Sequence, residues 1–288
     1  MDKVKIGVIG GGRGKSMIRY GREASNAQLV AICDFRDDVL DRMKKECGED
    51  GISYYSDYDE FLKHDMDAVV LANYANQHAP FAIKAMKAGK HVFSEVLPVQ
   101  TLKEAVELIE TVEETGKIYA YGENYCFMSA PYEMRKLYRQ GLIGEFEYGE
   151  GEYVHNCEPI WPQITYGEED HWRNNMSAFF YCTHSLGPLI HISGKRPVSV
   201  TGFVKSLPDN CADAPCDTTI SGDRFCRDCA AGNDAEMRLL RLSIRITSSS
   251  IPKENAVTSV ALLRSDSFAT VFIGALAVRS RTKNSRIS

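Results

Sequence analysis

The sequence has no excess of positive charge, no long apolar run and no leader-like start. Its 288 residues carry 34 Lys+Arg against 39 Asp+Glu, a net charge of −5, so no basic field recruits nucleic acid or an anionic membrane. Toward the C-terminus the longest uncharged apolar run, Val271 to Val278, is eight residues. A bilayer span needs about 20. The first residues enter a strand-like segment (Val4 to Ile9) with no signal peptide before it. Nine cysteines, an odd number without an export signal, read as reduced thiols of a cytoplasmic protein. Cys226 and Cys229 have the spacing of a zinc half-site, but Cys211 and Cys216 fit the other half poorly, so no metal is expected.

Tyrosine, histidine and tryptophan are missing from the end of the chain. All 14 tyrosines lie at or before Tyr181 and all 7 histidines at or before His191. Residues 221–288 hold nine Arg, two Lys and six acidic residues, a net of +5, which leaves −10 on the first 220. They also hold 11 Ser and only three Gly. So abrupt a change without a linker is what a shifted reading frame produces. The stretch 221–288 is therefore expected to be aberrant, leaving its sheet incomplete with an exposed edge.

What is present, with 44% hydrophobic and 25% charged residues, is the composition of a globular protein. Up to about residue 122, short apolar runs (Ile6 to Ile9, Leu29 to Cys33, Ala68 to Ala72, His91 to Phe93, Ile118 to Tyr121) alternate with helical stretches. That order predicts a doubly wound parallel α/β sheet, a Rossmann domain over 1–122. Asp57 is a candidate N-cap, and Thr101-Leu-Lys-Glu104 a capping box opening a helix to Thr115. From 123 to 288 the pattern is α+β: a helix over Pro131 to Gln140, a strand over Glu145 to His155, a turn or two of helix over Ser185 to Ile192, and a strand over Val198 to Lys205. This second domain is expected to carry a mostly antiparallel open sheet.

Gly10-Gly11-Gly12-Arg13-Gly14 sits at the first strand–helix junction, where glycines let a backbone approach a pyrophosphate bound at the helix N-terminus. The third glycine is one residue early for GxGxxG. A P-loop is one residue short, since position 9 is Ile9. Asp34, at the end of the second strand, is placed to accept both ribose hydroxyls. Its charge opposes a 2′-phosphate, which favours NAD over NADP, while Arg36 two residues on is placed to clamp that phosphate instead.

These marks, with Cys33-Asp-Phe-Arg36, Asp67-Ala-Val-Val-Leu-Ala72 and the run from His78 to Glu95 (HAPFAIKAMKAGKHVFSE), resemble the Gfo/Idh/MocA family of NAD(P)-dependent oxidoreductases over residues 3 to 205. The resemblance implies that Gly10, Gly12, Asp34, Asn73, His78, Glu95 and Asn124 line the dinucleotide, with Arg13 and Gly14 completing the loop. It implies an α+β second domain whose sheet carries the substrate site and often a homo-oligomer interface. The family's Glu-Lys-Pro is replaced by Glu95-Val-Leu-Pro98, so its lysine is absent. Tyr181-Cys-Thr-His-Ser-Leu-Gly-Pro188 is similar to a subgroup, NAD-dependent glycoside hydrolases that oxidise the sugar transiently, eliminate the aglycone and reduce again. That subgroup's additional tyrosine base falls near Glu123 to Phe127, at Tyr125 or replaced by Phe127.

From the residues themselves, removal of a hydride needs a base for the hydroxyl proton, and histidine suits that near neutral pH. His184 is the leading candidate, with Tyr181 three residues before it on one helical face. His155, Trp172 and Arg173 are candidates for a sugar: the ring stacks, the guanidinium forks to hydroxyls or a carboxylate. The expected protein is an NAD-dependent oxidoreductase acting on a sugar, polyol or glycoside. The rivals are the redox-assisted hydrolase and an NAD-binding protein without turnover.

Overall fold

The computed structural model describes residues 2–48, 51–153, 158–176, 181–206, 238–245 and 274–279, with backbone alone at 158, 199, 201–206, 238–245 and 274–279. The short runs become strands, buried most deeply in the middle of the sheet and only partly at its two edges. They are β1 (Val4–Ile9), β2 (Ala27–Cys33), β3 (Ser53–Tyr55), β4 (Ala68–Leu71), β5 (His91–Ser94) and β6 (Tyr119–Tyr121). They form one sheet in the order β3-β2-β1-β4-β5-β6, with every pairing parallel.

The helices α1 (Lys15–Glu23), α2 (Asp37–Cys47), α3 (Tyr58–Leu62), α4 (His78–Lys87) and α5 (Leu102–Thr115) connect these strands. One apolar cluster gathers Ile9, Val30, Phe61, Leu71, Met86 and Leu108. A second gathers Ile6, Val8, Ile18, Ile32, Val39 and Met43. The unit Met1–Glu123 thus contains its own core. Its caps follow local chemistry. Asp57 Oδ1 accepts from the Glu60 N–H at 2.9 Å. Thr101 Oγ1 accepts from the Glu104 N–H at 3.1 Å while Glu104 Oε2 accepts from the Thr101 N–H at 2.9 Å, the reciprocal box expected there.

The strand order reverses between β1 and β4. Loops leaving neighbouring strands at that point diverge and open a crevice at the strands' carboxyl ends. The glycine loop follows β1, Asp34 follows β2, Asn73 follows β4 and Glu95 follows β5, so the topology alone collects them at one edge.

The second unit, Asn124–Ser288, opens with a 3-10 turn (Asn124–Phe127) and contains α6 (Ser129–Arg139), β7 (Glu145–Gly151), α7 (Trp161–Ile164), α8 (Trp172–Asn175), α9 (Cys182–Ser193), β8 (Ser199–Ser206), β9 (Arg238–Arg245) and β10 (Gly274–Arg279). β7 pairs antiparallel with β10, and β8 antiparallel with β9. The antiparallel character is as expected, but it takes the form of two separate ladders among the described residues.

Two expectations need correction. The helix around residues 185–192 is a full twelve residues, starting at Cys182. Pro188 lacks the N–H that would reach the His184 carbonyl, yet it is buried within the helix together with Leu189 and Ile192. The strand expected to reach residue 155 ends at Gly151. The stretch 221–288 contributes β9 and β10 to these ladders.

Candidate functional site

The glycine loop is shaped by close approach. Gly10 has φ of +93°, and a Cβ there would run into the Ala72 carbonyl. The Gly14 N–H donates to the Gly10 carbonyl at 2.8 Å, closing the turn, and Gly14 is the N-cap of α1. A Cβ on Gly14 would lie 2.6 Å from Val8 Cγ1. The early third glycine therefore serves helix–strand contact with the helix starting one residue sooner. Gly12 differs, because a Cβ there would meet only Arg42 Nη2, at 4.0 Å. Internal packing gives no reason for glycine at this exposed position, whereas a phosphate drawn onto the backbone does.

Asp34 is tied to that loop. Its Oδ2 accepts from the Gly11 N–H at 2.8 Å and its Oδ1 from the Arg36 N–H at 3.0 Å. Partial burial pushes its carboxyl pKa up, against the pull of these two amides and the Arg36 charge. Arg36 turns its guanidinium on Asp38, with Nε 3.1 Å from Oδ1 and Nη2 3.3 Å from Oδ2. Arg13 Nε lies 3.5 Å from Glu95 Oε1, linking the glycine loop to the end of β5. Asn73 Nδ2 donates to Gln77 Oε1 at 3.3 Å.

His78 lies beneath the crevice rather than on its surface, 1% exposed. Nδ1 is 2.7 Å from the Leu97 carbonyl and Nε2 is 3.2 Å from the Asn73 carbonyl. The imidazole thus braces the loop after β4 against the loop after β5. Burial lowers its pKa despite these two carbonyls and the Glu95 charge.

In the second unit the structure brings His184 and Tyr181 together. Their rings stack at 5.3 Å and 15°. Tyr125, from the 3-10 turn, lies at 4.5 Å from His184, and Tyr153, two residues past β7, at 4.7 Å. His184 is 4% exposed inside this ring of three phenols. Between the two candidates for the additional tyrosine, Tyr125 faces His184, while the exposed Phe127 packs on His191 at 5.2 Å. Sequence reasoning missed Tyr153. Its one signal is a place two residues before His155 on the same alternating run.

Trp172 is buried, and the Arg173 guanidinium lies 4.2 Å over its ring. One face of this indole is thereby taken. Arg173 Nη1 also reaches the Ile164 carbonyl at 3.4 Å. Asn124 is exposed at the start of the 3-10 turn and belongs to this second unit. His155 lies outside the described residues, as do Cys211, Cys216, Cys226 and Cys229. Among the described residues no three His, Cys, Asp or Glu side chains group as metal ligands, and no helix is long and apolar enough to cross a membrane.

Fold and crevice together define a Rossmann domain with its glycine loop at the switch point of the sheet. Residues 4–123 match the model of the Gfo/Idh/MocA family, described as an oxidoreductase family with an NAD-binding Rossmann fold. The chain is 35% identical over 202 residues to a glycosyl hydrolase family 109 protein of Shewanella sp. (strain ANA-3), covering 66% of this chain and 44% of that protein. A glycosyl hydrolase family 109 protein of Shewanella amazonensis is 34% identical over the same coverage. The chain thus spans less than half the length of these curated relatives. Among solved structures, the fold matches apo scyllo-inositol dehydrogenase from Lactobacillus casei with a TM-score of 0.69 at 18% identity, over 97% of this chain and 74% of that one. It also matches the WlbA dehydrogenase from Bordetella pertussis, crystallised with NADH and UDP-GlcNAcA, with a TM-score of 0.65 at 19% identity, over 97% and 80%.

Proposed function

We propose that the protein transfers a hydride between NAD and a hydroxyl-bearing carbon of a sugar, polyol or glycoside. The observation that carries this reading is His184 held among Tyr125, Tyr153 and Tyr181, in a chain whose first unit carries a dinucleotide loop. The residues fit the cofactor: Gly12 leaves the loop open to a pyrophosphate, and Asp34 stands at the end of β2 where a ribose binds. When bound, the dinucleotide supplies the hydride acceptor and donor.

The chain's own groups do the rest. The amides of Gly12 and Arg13 and the first turn of α1 would hold the phosphates. Asp34 accepts from the ribose hydroxyls and disfavours a 2′-phosphate by like charge. His184 takes the proton of the substrate hydroxyl as its C–H bond breaks, and the stacked Tyr181 fixes the imidazole plane. Arg173 offers donors to sugar hydroxyls. The protein works in the cytoplasm on this reading, with a second copy of the chain docking through the second unit's sheet.

The names of the curated relatives favour a second reading, hydrolysis of a glycoside through transient oxidation. Both readings share the first step and differ in the outcome. The test is incubation with NAD+ and a panel of inositols, hexoses and aryl glycosides. Accumulating NADH supports the dehydrogenase. Aglycone release without NADH, with solvent deuterium entering a sugar carbon, supports the hydrolase. NAD+ binding with neither product overturns both and leaves a non-catalytic binder.

A further inference from the structure

Arg36 is the cation closest in sequence to Asp34, and its backbone N–H is held by that carboxylate at 3.0 Å. A guanidinium so placed, two residues past the acid at the end of β2, commonly serves a 2′-phosphate. Here its fork is already filled. Asp38, in the first turn of α2, takes Nε and Nη2 with separate oxygens, at 3.1 and 3.3 Å. This is the planar, two-point geometry in which an arginine pairs with a carboxylate or a phosphate, and the two acceptors compete for one fork. Another cation near the loop, Arg42, has its Nε 3.9 Å from Glu46 Oε1 on its own helix.

We propose that Asp38 is a specificity-determining residue: it locks Arg36 in a two-point ion pair and so withholds the guanidinium from the 2′-phosphate of NADP. The inference rests on the NAD-binding reading of the first unit. It adds to the discrimination by Asp34, because Asp34 repels the phosphate while Asp38 occupies the group that would attract it. Helix α2 favours this arrangement. An acid in a first helical turn is stabilised by the helix dipole, and pairing with Arg36 holds the Asp38 carboxyl below its usual pKa.

The experiment is equilibrium titration of the purified chain with NAD+ and with NADP+, for wild type, Asp38→Asn, Arg36→Ala and the double variant. An exposed ion pair contributes little, so the NADP+/NAD+ affinity ratio is expected to rise only about two- to fivefold in Asp38→Asn. That rise should vanish when Asp38→Asn is made on Arg36→Ala, because no guanidinium is left to release. An unchanged ratio in Asp38→Asn overturns the lock. So does a full rise in the Arg36→Ala background, which would make Asp38 a simple repelling charge. A wild type that binds NADP+ more tightly overturns the NAD preference alone, since the lock is read from the change in ratio. Binding of neither dinucleotide overturns the dinucleotide reading and the lock together.

Discussion

At His78 both ring nitrogens face backbone carbonyls, and a neutral imidazole has only one N–H to give. The shorter contact, 2.7 Å to Leu97, marks Nδ1 as the donor. Burial depresses the pKa of His78, and also that of His171 and His191, the last two helped by Arg173 and Arg135. A depressed pKa means that the unfolded chain binds the proton more readily. The stability these histidines contribute is therefore present above about pH 6.5 and lost as pH falls through their lowered values. Thermal melts from pH 8 to pH 5 should show that loss. His78→Gln should make it shallower and cost about 1–3 kcal/mol at pH 8, where a buried carbonyl loses its donor. A pH dependence as steep as the wild type's would show that His78 has no part in it.

His184 makes a different demand. His184→Ala should lower turnover by about 10²–10⁴ with NAD affinity nearly unchanged, as removal of a proton acceptor does. Intact activity, or loss of NAD binding instead, would make His184 structural. Asp34 and His184 were legible because spacing and chain order name them. Tyr153 and the Arg36–Asp38 pair were not, because ring contacts and a turned guanidinium depend on where side chains point.

Among the elements, β7 and α9 touch backbone to backbone. A Cβ at Gly151 would run into the Ser185 carbonyl, and one at Gly149 would lie 2.9 Å from Leu189 Cδ2. The neighbour at Gly151 is the Ser185 backbone and not the end of a flexible side chain, so Gly151→Ala must push α9 away from β7. Ser185 follows His184 directly, so the push falls on the candidate base. Gly151→Ala should cost about 1–3 kcal/mol, as overpacking does, and reduce turnover more than it weakens NAD binding. Differential melting beside NAD+ titration checks this, and equal loss of both functions would show a global defect. The Rossmann elements were readable because the stretches 29–33 and 68–71 are uninterrupted apolar runs and because α3 and α5 open on side-chain caps, Asp57 and Thr101. The length of α9 was not, because burial of Leu189 and Ile192 overrides the local signal of Gly187-Pro188.

Taken as a whole molecule, the two units differ in how self-sufficient they are. The first closes both apolar clusters with residues no later than Leu108 and its packed neighbours to Tyr119. The second depends on the chain's end, since β7 and β8 find their antiparallel partners in β10 and β9. Those partners lie in the stretch whose composition breaks with the rest. Pairing does not settle whether that stretch was selected for this sheet, because a backbone ladder forms with many sequences. β9, RLLRLSIR, carries arginine at three of its eight positions, a poor complement to any buried face. If residues from about 221 onward come from a shifted frame, the ladders have low local stability and open often. Limited trypsin digestion should then cut first between Arg224 and Arg245, including the arginines within β9. It should leave an N-terminal fragment that still binds NAD, because the first unit's core is complete without the tail. A tail in native register predicts the opposite order: Arg238, Arg241 and Arg245 protected by the β8–β9 ladder, and a single melting transition that shifts down when the tail is removed. Mass mapping of the early fragments separates the two. Protection within β9 equal to that of the Rossmann unit would overturn the frameshift reading.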